Sequence, residues 1–319
     1  MTHRPQLFPG GGRAGIGDPS LDETVVDRLR RRARETPRRR AYTWLADGES
    51  EAESLDWGAL DARAGGVALA LHSAGLAAGD RALLLFPPGL DFVAAFFGCL
   101  LSGVVAVPAY PPRSLRRPER EGERLAGIAA DAAPRAVLTT AEIAAAGPAL
   151  AAAVPALAGL AWLAAEGGAG VEAPPFEPPA IEPGAIAFLQ YTSGSTSEPK
   201  GVVVRHANLA ANEAAIQAAF GQTEDSIVVG WLPLYHDMGL IGNVLQPLWS
   251  GGRCVLMSPV AFLQRPARWL EAIDRYRATT SGGPDFAYAL AARKIAPQEA
   301  GALDLTSWQV AFSGAEPVR

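Results

Sequence analysis

The segment Phe188–His206, FLQYTSGSTSEPKGVVVRH, places hydroxyls, glycines, a proline and a lysine between two apolar runs. The run that enters it, AIAFLQY, and the run that leaves it, GVVVRH, have the length and composition of buried strands. The segment therefore predicts a polar loop between two strands.

Strand-like and helix-like segments alternate on both sides of this loop. Before it stand RALLLF, GLDFVAAFFGCLLSG, VVAVP and RAVLTT, and after it stand SIVVGWLPL, MGLIGNVLQPLWSGG, RCVLM and QVAFSG. This order predicts an α/β fold with a mostly parallel sheet and helices on both faces. Near the N-terminus, AYTWLADGESEAESL predicts a hairpin around Asp47-Gly48, and Asp56 is expected to cap the helix that follows.

The composition fits a folded chain with a large core. Of the 319 residues, 49% are apolar and 19% are charged. The net charge of -5 gives no reason to expect nucleic-acid binding. The two cysteines, Cys99 and Cys254, lie in separate apolar segments, which predicts two buried reduced thiols.

Two uncharged runs are long enough to be tested as membrane spans. Phe92–Pro112 is interrupted by glycine, serine and proline, and Ile143–Ala165 is mostly alanine with two prolines. Neither pattern predicts a span. The N-terminus lacks the apolar core of a signal peptide, so a cytoplasmic location is expected.

The polar loop has the composition of a polyphosphate site. Exposed amides in such a turn form an anion cradle, hydroxyls add donors, and a lysine adds a compact positive charge. Lysine is rare here, since 26 of 28 basic residues are arginine. Pro199 before Lys200 and a strand after it exclude a Walker A loop. A flexible polar surface loop is the alternative.

His236 is the second candidate for chemistry. It follows the strand SIVVGWLPL at its C-terminal end, where ligands bind in parallel sheets. As a donor there, it could orient a carboxylate. Its neighbour Asp237 either caps the next helix or acts directly, and the sequence leaves both open. His206 lacks this setting and is predicted to be structural. No His/Cys cluster has zinc spacing.

The segment YTSGSTSEPKG resembles the phosphate-binding motif of adenylate-forming enzymes, which include acyl-CoA synthetases, adenylation domains and luciferases. Ser197 stands where that motif usually has glycine. From roughly residue 20 onward the chain is similar to fatty acyl-AMP ligases. The further segments that carry this likeness are FPPGLDFVAAFFGCLLSGVVAVPAYPP, WLPLYHDMGLIG, SGGPDFAYALAARKI and FSGAEPVR.

This resemblance implies two stacked, mostly parallel sheets flanked by helices, in an incomplete large N-terminal domain. Residues 1–18 are glycine-rich and are expected to form a flexible lead. Residues 19–319 would form the domain, with sub-lobes of about 56–215 and 216–319. The small C-terminal domain, with its catalytic lysine, would be absent. The chain alone is therefore expected not to turn over at a normal rate.

The resemblance also implies roles for individual residues. His236 and Lys200 would be the catalytic residues, with His236 beside the reacting carboxylate and the α-phosphate and Lys200 on the phosphates. The β- and γ-phosphates would bind Thr192, Ser193, Gly194, Ser195, Thr196 and Lys200. The adenine and ribose would lie along Gly314, Ala315 and Glu316. The acyl pocket would include Met238, Gly239, Gly283, Pro284 and Phe286.

The implied reaction activates a long-chain fatty acid with ATP, releases pyrophosphate, and passes the acyl group to an acyl carrier protein or a polyketide or peptide synthase. Mg²⁺ held mainly by ATP is the only metal expected, with no metal site of the protein's own. An acyl-CoA ligase with coenzyme A as acceptor is the nearest alternative. A non-catalytic lobe that binds acyl chain or nucleotide is another. A serine hydrolase is disfavoured because no G-x-S-x-G elbow occurs.

Overall fold

Two six-stranded sheets form the framework of the computed structural model, which describes residues 23–110, 122–166, 176–192 and 200–317. The first sheet has the order β6-β5-β3-β4-β7-β8, with β3 (Arg81–Leu85), β4 (Val105–Pro108), β5 (Ala136–Thr139), β6 (Ala161–Ala164), β7 (Ile186–Thr192) and β8 (Lys200–Arg205). The second has the order β12-β11-β9-β10-β1-β2, with β1 (Arg40–Leu45), β2 (Glu51–Asp56), β9 (Ile227–Gly230), β10 (Arg253–Met257), β11 (Thr280–Gly283) and β12 (Val310–Ser313).

Strand pairing is mostly parallel, as predicted. The antiparallel pairs in the described ranges are the two hairpins, β1–β2 and β7–β8. In the second hairpin Thr192 stands opposite Lys200, so the two ends of the polar loop face each other. The β1–β2 hairpin precedes both predicted sub-lobes and pairs with β10 in the second sheet. The division into sub-lobes stays a prediction, and the predicted lead, 1–18, lies outside the described residues.

Helices flank both sheets, so the predicted α/β fold is confirmed. Asp56 caps α2 as expected, since its carboxylate accepts the Ala59 N–H at 2.7 Å. The helices are α1 (Val25–Glu35), α2 (Trp57–Ser73), α3 (Leu90–Ser102), α4 (Gly122–Ala132), α5 (Ala141–Ala145), α6 (Gly147–Ala153), α7 (His206–Phe220), α8 (Asp237–Leu240), α9 (Gln246–Ser250), α10 (Pro259–Gln264), α11 (Ala267–Tyr276), α12 (Asp285–Lys294) and α13 (Pro297–Gly301).

The sequence predicts one helix over MGLIGNVLQPLWSGG, and this prediction is wrong in detail. A π-helical turn, Ile241–Leu245, separates α8 from α9. Pro247 is the second residue after this turn, and a proline ring clashes with the carbonyl four residues before it, which here is that of Asn243. A π turn at that point widens the helix and relieves the clash.

One core cluster takes residues from both sheets and from the helices between them. Helix α3 is almost wholly buried, and both cysteines are buried free thiols, as predicted. Burial raises the pKa of each thiol. Among the described residues, no helix combines the length and the apolar character that a membrane crossing requires.

His206, at the start of α7, is only 2% exposed, as its predicted structural role requires. Burial disfavours the charged ring and lowers its pKa to about 4. An unfolded histidine has a pKa of about 6.5, so the unfolded chain binds the proton more tightly. The contribution of neutral His206 to stability is therefore fully present above pH 6.5 and is lost as the pH falls through 4.

We expect His206→Gln to flatten the pH dependence of unfolding. In the parent, this histidine should lower the free energy of unfolding by about 2 kcal/mol between pH 7 and pH 5. Urea denaturation at the two pH values measures the difference. His72→Gln, at an exposed histidine of α2, is the control and should keep the parent's slope. A His206→Gln protein with an unchanged slope would contradict the assignment.

Candidate functional site

His236 lies in a tight turn between β9 and α8. Its backbone N–H donates to the Pro233 carbonyl at 3.1 Å, and its own carbonyl accepts the Leu240 N–H at 2.8 Å. The turn thus ends the strand segment and begins the helix within a few residues. It leaves the His236 ring half-exposed, with 52% of the side chain accessible.

The first sheet holds this turn from the other side. Gln190, on β7, donates from Nε2 to the Tyr235 carbonyl at 3.1 Å. The Tyr110 ring, just after β4, meets the Tyr235 ring edge-on with centroids 4.9 Å apart. Since β7 leads directly into the polar loop, the Gln190 hydrogen bond connects the loop's hairpin to the His236 turn.

The Asp237 carboxylate orients the His236 ring. Oδ1 of Asp237 lies 2.5 Å from Nδ1 of His236 and also accepts the Met238 N–H at 2.6 Å. The same Met238 N–H is 3.4 Å from Nδ1, a weaker contact. We therefore assign Nδ1–H as the donor to Asp237, which leaves Nε2 to meet a ligand. Asp237 is the first residue of α8, whose N-cap is His236, so it is not the cap that the sequence allowed. Its carboxylate accepts the Met238 N–H and contacts the His236 ring, and a direct role in the reaction stays a prediction.

A cavity of about 520 Å³ opens beside this turn. Its walls come from α7, from the helical run Asp237–Gln246, from β11 and from the segment at and after β12. The lining residues are Asn212, Ile216, Phe220, Gln222, His236, Asp237, Met238, Ile241, Gly242, Gln246, Thr280, Phe312, Gly314 and Ala315.

Two separate sequence motifs meet at this cavity. His236 and Met238 come from YHDMG, and Gly314 and Ala315 come from SGAEP. A Cβ placed on Gly314 would lie 3.2 Å from Cε of Met238, so the two segments are in close contact. The Gly314 N–H donates to the Gly283 carbonyl at 3.3 Å, which brings β11 to the same corner.

The other residues predicted for the acyl pocket are not among those that line the cavity. Gly283 packs against Trp231, whose ring a Cβ would meet at 2.6 Å. Pro284 precedes α12 as its N-cap. Phe286 is 48% exposed and meets the Trp231 ring edge-on at 6.2 Å. Their role in binding an acyl chain stays a prediction.

Gly239 packs against backbone. A Cβ at this position would lie 2.1 Å from the Pro233 carbonyl oxygen and 2.8 Å from its carbon. The glycine therefore allows α8 to approach the preceding strand segment closely enough to form the His236 turn.

We expect Gly239→Ala to destabilise the chain by about 1–3 kcal/mol, because the added methyl must push the backbone apart. Gly242→Ala is the matched control, since it lies one turn further along with nothing within 4 Å of a Cβ. That change should be neutral or stabilising by about 1 kcal/mol, because alanine favours a helix. Urea denaturation of both variants is the test, and equal effects would contradict the close-contact argument.

The polar loop itself falls largely outside the described residues. Its two ends are described: Thr192 closes β7 and Lys200 opens β8, with Lys200 exposed. The predicted phosphate ligands Ser193, Gly194, Ser195 and Thr196 lie between them, beyond the described ranges.

The predicted nucleotide segment follows β12. Gly314 and Ala315 reach the cavity wall, whereas Glu316 is exposed beside it. Ala315 has φ +76°, a left-handed conformation that costs an alanine about 1–2 kcal/mol. A strained backbone of this kind is common where a chain bends around a ligand.

Most residues of the cavity's inner wall were not predicted from the sequence. Ile216 and Phe220 of α7, Ile241 of the π turn, and Phe312 of β12 supply apolar surface. Gln222, Gln246 and Thr280 supply polar groups that are nearly inaccessible. The one available signal was Gln246, a polar residue inside the apolar run MGLIGNVLQPLW.

Within the described ranges, no three His, Cys, Asp or Glu side chains gather as a metal site. The cavity mouth offers Asp237, already engaged with His236 and a backbone N–H. These residues do not fit a preformed Mg²⁺ site.

Comparison with known proteins gives a consistent picture. The sequence profile of the AMP-binding enzyme family matches residues 29–319. Among curated relatives, the medium-chain-fatty-acid–[acyl-carrier-protein] ligase JamA of Moorena producens is 41% identical over 307 residues, which cover 93% of this chain and 50% of JamA. The long-chain-fatty-acid–AMP ligase FadD26 of Mycobacterium bovis is 36% identical, over 94% of this chain and 52% of FadD26.

A solved structure agrees with these relatives. The fatty acyl-adenylate ligase from L. pneumophila, in complex with acyl adenylate and pyrophosphate, superimposes with a TM-score of 0.84 at 40% identity. The match covers 93% of this chain and 50% of that one. The chain thus spans about half the length of the curated relatives it matches.

Proposed function

The chain belongs to the AMP-binding enzyme family, and from that premise we propose that it forms the substrate-binding half of an enzyme that activates a fatty acid as its acyl-adenylate. The observation that carries this proposal is the convergence of YHDMG and SGAEP on one cavity with apolar walls. The names of JamA, FadD26 and the L. pneumophila ligase support the same substrate class.

The acyl chain would occupy the cavity with its carboxylate toward His236. Side chains of Ile216, Phe220, Met238 and Phe312 provide the apolar contact that an alkyl chain requires. The long-chain acid expected from the sequence stays a proposal, since the relatives include medium-chain and long-chain ligases.

The nucleotide would lie across the mouth. Lys200 and the loop that ends at it would hold the β- and γ-phosphates of ATP, and the segment Gly314–Glu316 would follow the adenosine. This arrangement is supported by the hydrogen bond from Gln190 to Tyr235, which ties the loop's own hairpin to the His236 turn. Mg²⁺ would arrive with ATP.

In the reaction, a carboxylate oxygen forms a bond to the α-phosphorus. The bond from that phosphorus to the oxygen bridging it to the β-phosphorus breaks, and pyrophosphate leaves with the electron pair. The chain's own part is to align the attacking carboxylate with the leaving pyrophosphate and to stabilise the charge that develops on the phosphates. Nε2 of His236, when protonated, donates a hydrogen bond to the carboxylate or to an α-phosphate oxygen.

The acyl-adenylate would then pass its acyl group to the thiol of a carrier protein's phosphopantetheine arm, or of a polyketide or peptide synthase, with loss of AMP. JamA is named for such an acceptor. Coenzyme A is the rival acceptor. A form of the protein with the full length of its relatives should acylate a carrier protein faster than free coenzyme A.

ATP–pyrophosphate exchange tests the proposal directly. The full-length form should exchange label only when a fatty acid is present. The 319-residue chain should bind ATP and an acyl-adenylate mimic but form acyl-adenylate much more slowly. Steady turnover by the 319-residue chain would overturn the expected slow formation of acyl-adenylate. If this chain bound neither ATP nor the acyl-adenylate mimic, its proposed role in binding the substrates would be overturned.

A further inference from the structure

The inner end of the cavity is polar although its walls are apolar. Gln246 is 1% exposed, Thr280 is 3% and Gln222 is 5%, and all three line the cavity. Gln246 stands ten residues beyond His236 along the helical run, a rise of about 15 Å. Thr280 begins β11, about 10 Å from the Gly283 corner at the other end of that strand. These groups therefore lie away from the reacting end.

Their side chains form one connected series that ends on a buried carboxyl. The Gln246 amide contacts the Glu213 carboxyl on one side and, at 2.8 Å, the Gln222 side-chain oxygen on the other. Gln222 in turn lies 3.4 Å from Oγ1 of Thr280, through its Nε2. Glu213 is 0% exposed, and burial raises the pKa of its carboxyl.

Counting donors shows that this series is not complete by itself. If Nε2 of Gln222 donates to Thr280, then the second Gln222 N–H and the Thr280 O–H are both left over. In the alternative, the oxygen and nitrogen of the side-chain amides of Gln222 and Gln246 exchange places. Gln246 then donates to Glu213, Gln222 donates to Gln246, and Thr280 donates to Gln222. One N–H of Gln222 still remains. In either orientation these hydrogen bonds leave at least one donor of the Gln222–Thr280 pair available to a ligand.

We propose that Gln222 and Thr280 form a hydrogen-bond donor site at the inner end of the acyl cavity, and that the preferred acid carries an oxygen acceptor near the end of its chain. A hydroxyl, phenol or keto group would satisfy this site. The inference rests on the proposed function, because it names the substrate class of the same cavity.

The physical reason is the difference between a paired and an unpaired buried donor. An oxygen at the chain end pairs the donor, whereas a plain methyl leaves it buried without a partner. One hydrogen bond of this kind corresponds to a preference of about tenfold, and larger ratios occur where a site is built around it. The apolar walls add affinity equally for both acids.

The test compares two sulfamoyl-adenosine mimics of acyl-adenylates, one with a plain medium-length alkyl chain and one with the same chain ending in a hydroxyl. Each is titrated into the 319-residue chain by calorimetry. The hydroxylated mimic should bind about tenfold more tightly. Moving the hydroxyl along the chain should give a maximum at one position, because the donor site is fixed.

Variants assign the preference to the two side chains. Thr280→Val and Gln222→Met should each reduce it to about twofold or less, whereas Thr280→Ser, which keeps the hydroxyl, should retain it. Thermal unfolding checks that each variant is folded. If one variant does not fold, the other and the hydroxyl scan still decide the question.

Each outcome has a separate meaning. Equal binding of the two mimics by the parent, at every hydroxyl position, would overturn the donor site and leave the proposed function intact. A preference that survives in both Thr280→Val and Gln222→Met would also overturn it. If neither mimic binds the parent, the proposed function fails and this inference fails with it.

Discussion

Replacing Lys200 with alanine should weaken the binding of ATP and pyrophosphate to this chain by about 10- to 100-fold, which corresponds to one charge-assisted hydrogen bond of about 1.5–3 kcal/mol. Lys200 begins β8 opposite Thr192, at the mouth of the polar loop. Its side chain is exposed, so its loss should not disturb the core. Calorimetric titration with ATP and with pyrophosphate measures the effect, which should shrink as ionic strength rises.

The matched control is Lys294→Ala, at the other lysine of the chain. Lys294 is exposed in the last turn of α12, a helix that packs against the second sheet, whereas Lys200 begins a strand of the first. Lys294→Ala removes the same charge as Lys200→Ala, so a general loss of attraction for polyphosphates would appear in both variants. Equal weakening by the two changes, or none by Lys200→Ala, would show that the loop is not the phosphate site.

Most of the fold could be predicted because its elements are strongly patterned. Buried parallel strands such as RALLL and RCVLM are continuous apolar runs, and each is followed or preceded by a helix. The β1–β2 hairpin had a turn signal at Asp47-Gly48, and Asp47 accepts the Glu49 and Ser50 N–H groups at 2.8 and 2.7 Å. Local sequence and tertiary packing agree at these places.

Strand β11 was not predicted, because its sequence is TSGG. All four residues are buried, and a Cβ on Gly282 would lie 2.2 Å from the Phe312 carbonyl oxygen. The strand therefore uses small residues to let β12 and the Trp231 ring approach closely. Such a strand is specified by its neighbours in space, and no local period reveals it.

The candidate site divides in the same way. His236 and the residues Gly314 and Ala315 of the SGAEP segment could be placed at the cavity because they belong to loops with distinctive sequences. The inner wall could not, since Ile216 and Phe220 look like any apolar residues on a helix, and their facing partners, Ile241 and Phe312, lie far away in sequence. Which face of α7 meets the cavity depends on how this helix packs against segments that are distant in sequence.

Replacing His236 with alanine should lower the rate of acyl-adenylate formation by about 100-fold, with little change in ATP binding. The ring is half-exposed, and the Asp237 carboxylate 2.5 Å away fixes its orientation. The loss should therefore appear in the chemical step. ATP–pyrophosphate exchange by the full-length form, together with ATP titration of the variant, separates the two quantities.

Two further variants distinguish a role for the ring from a role for the turn. Asp237→Asn keeps an oxygen that can accept the Met238 N–H but weakens the bond to Nδ1, so it should show a smaller loss than His236→Ala. His72→Ala, at an exposed histidine that does not line the cavity, should exchange at the parent's rate. Since the turn itself is held by backbone bonds from His236 to Pro233 and from Leu240 to His236, alanine at 236 should preserve it. A His236→Ala enzyme that exchanges at full rate would remove the ring from the reaction, and a variant that loses ATP binding as well would assign it to the nucleotide.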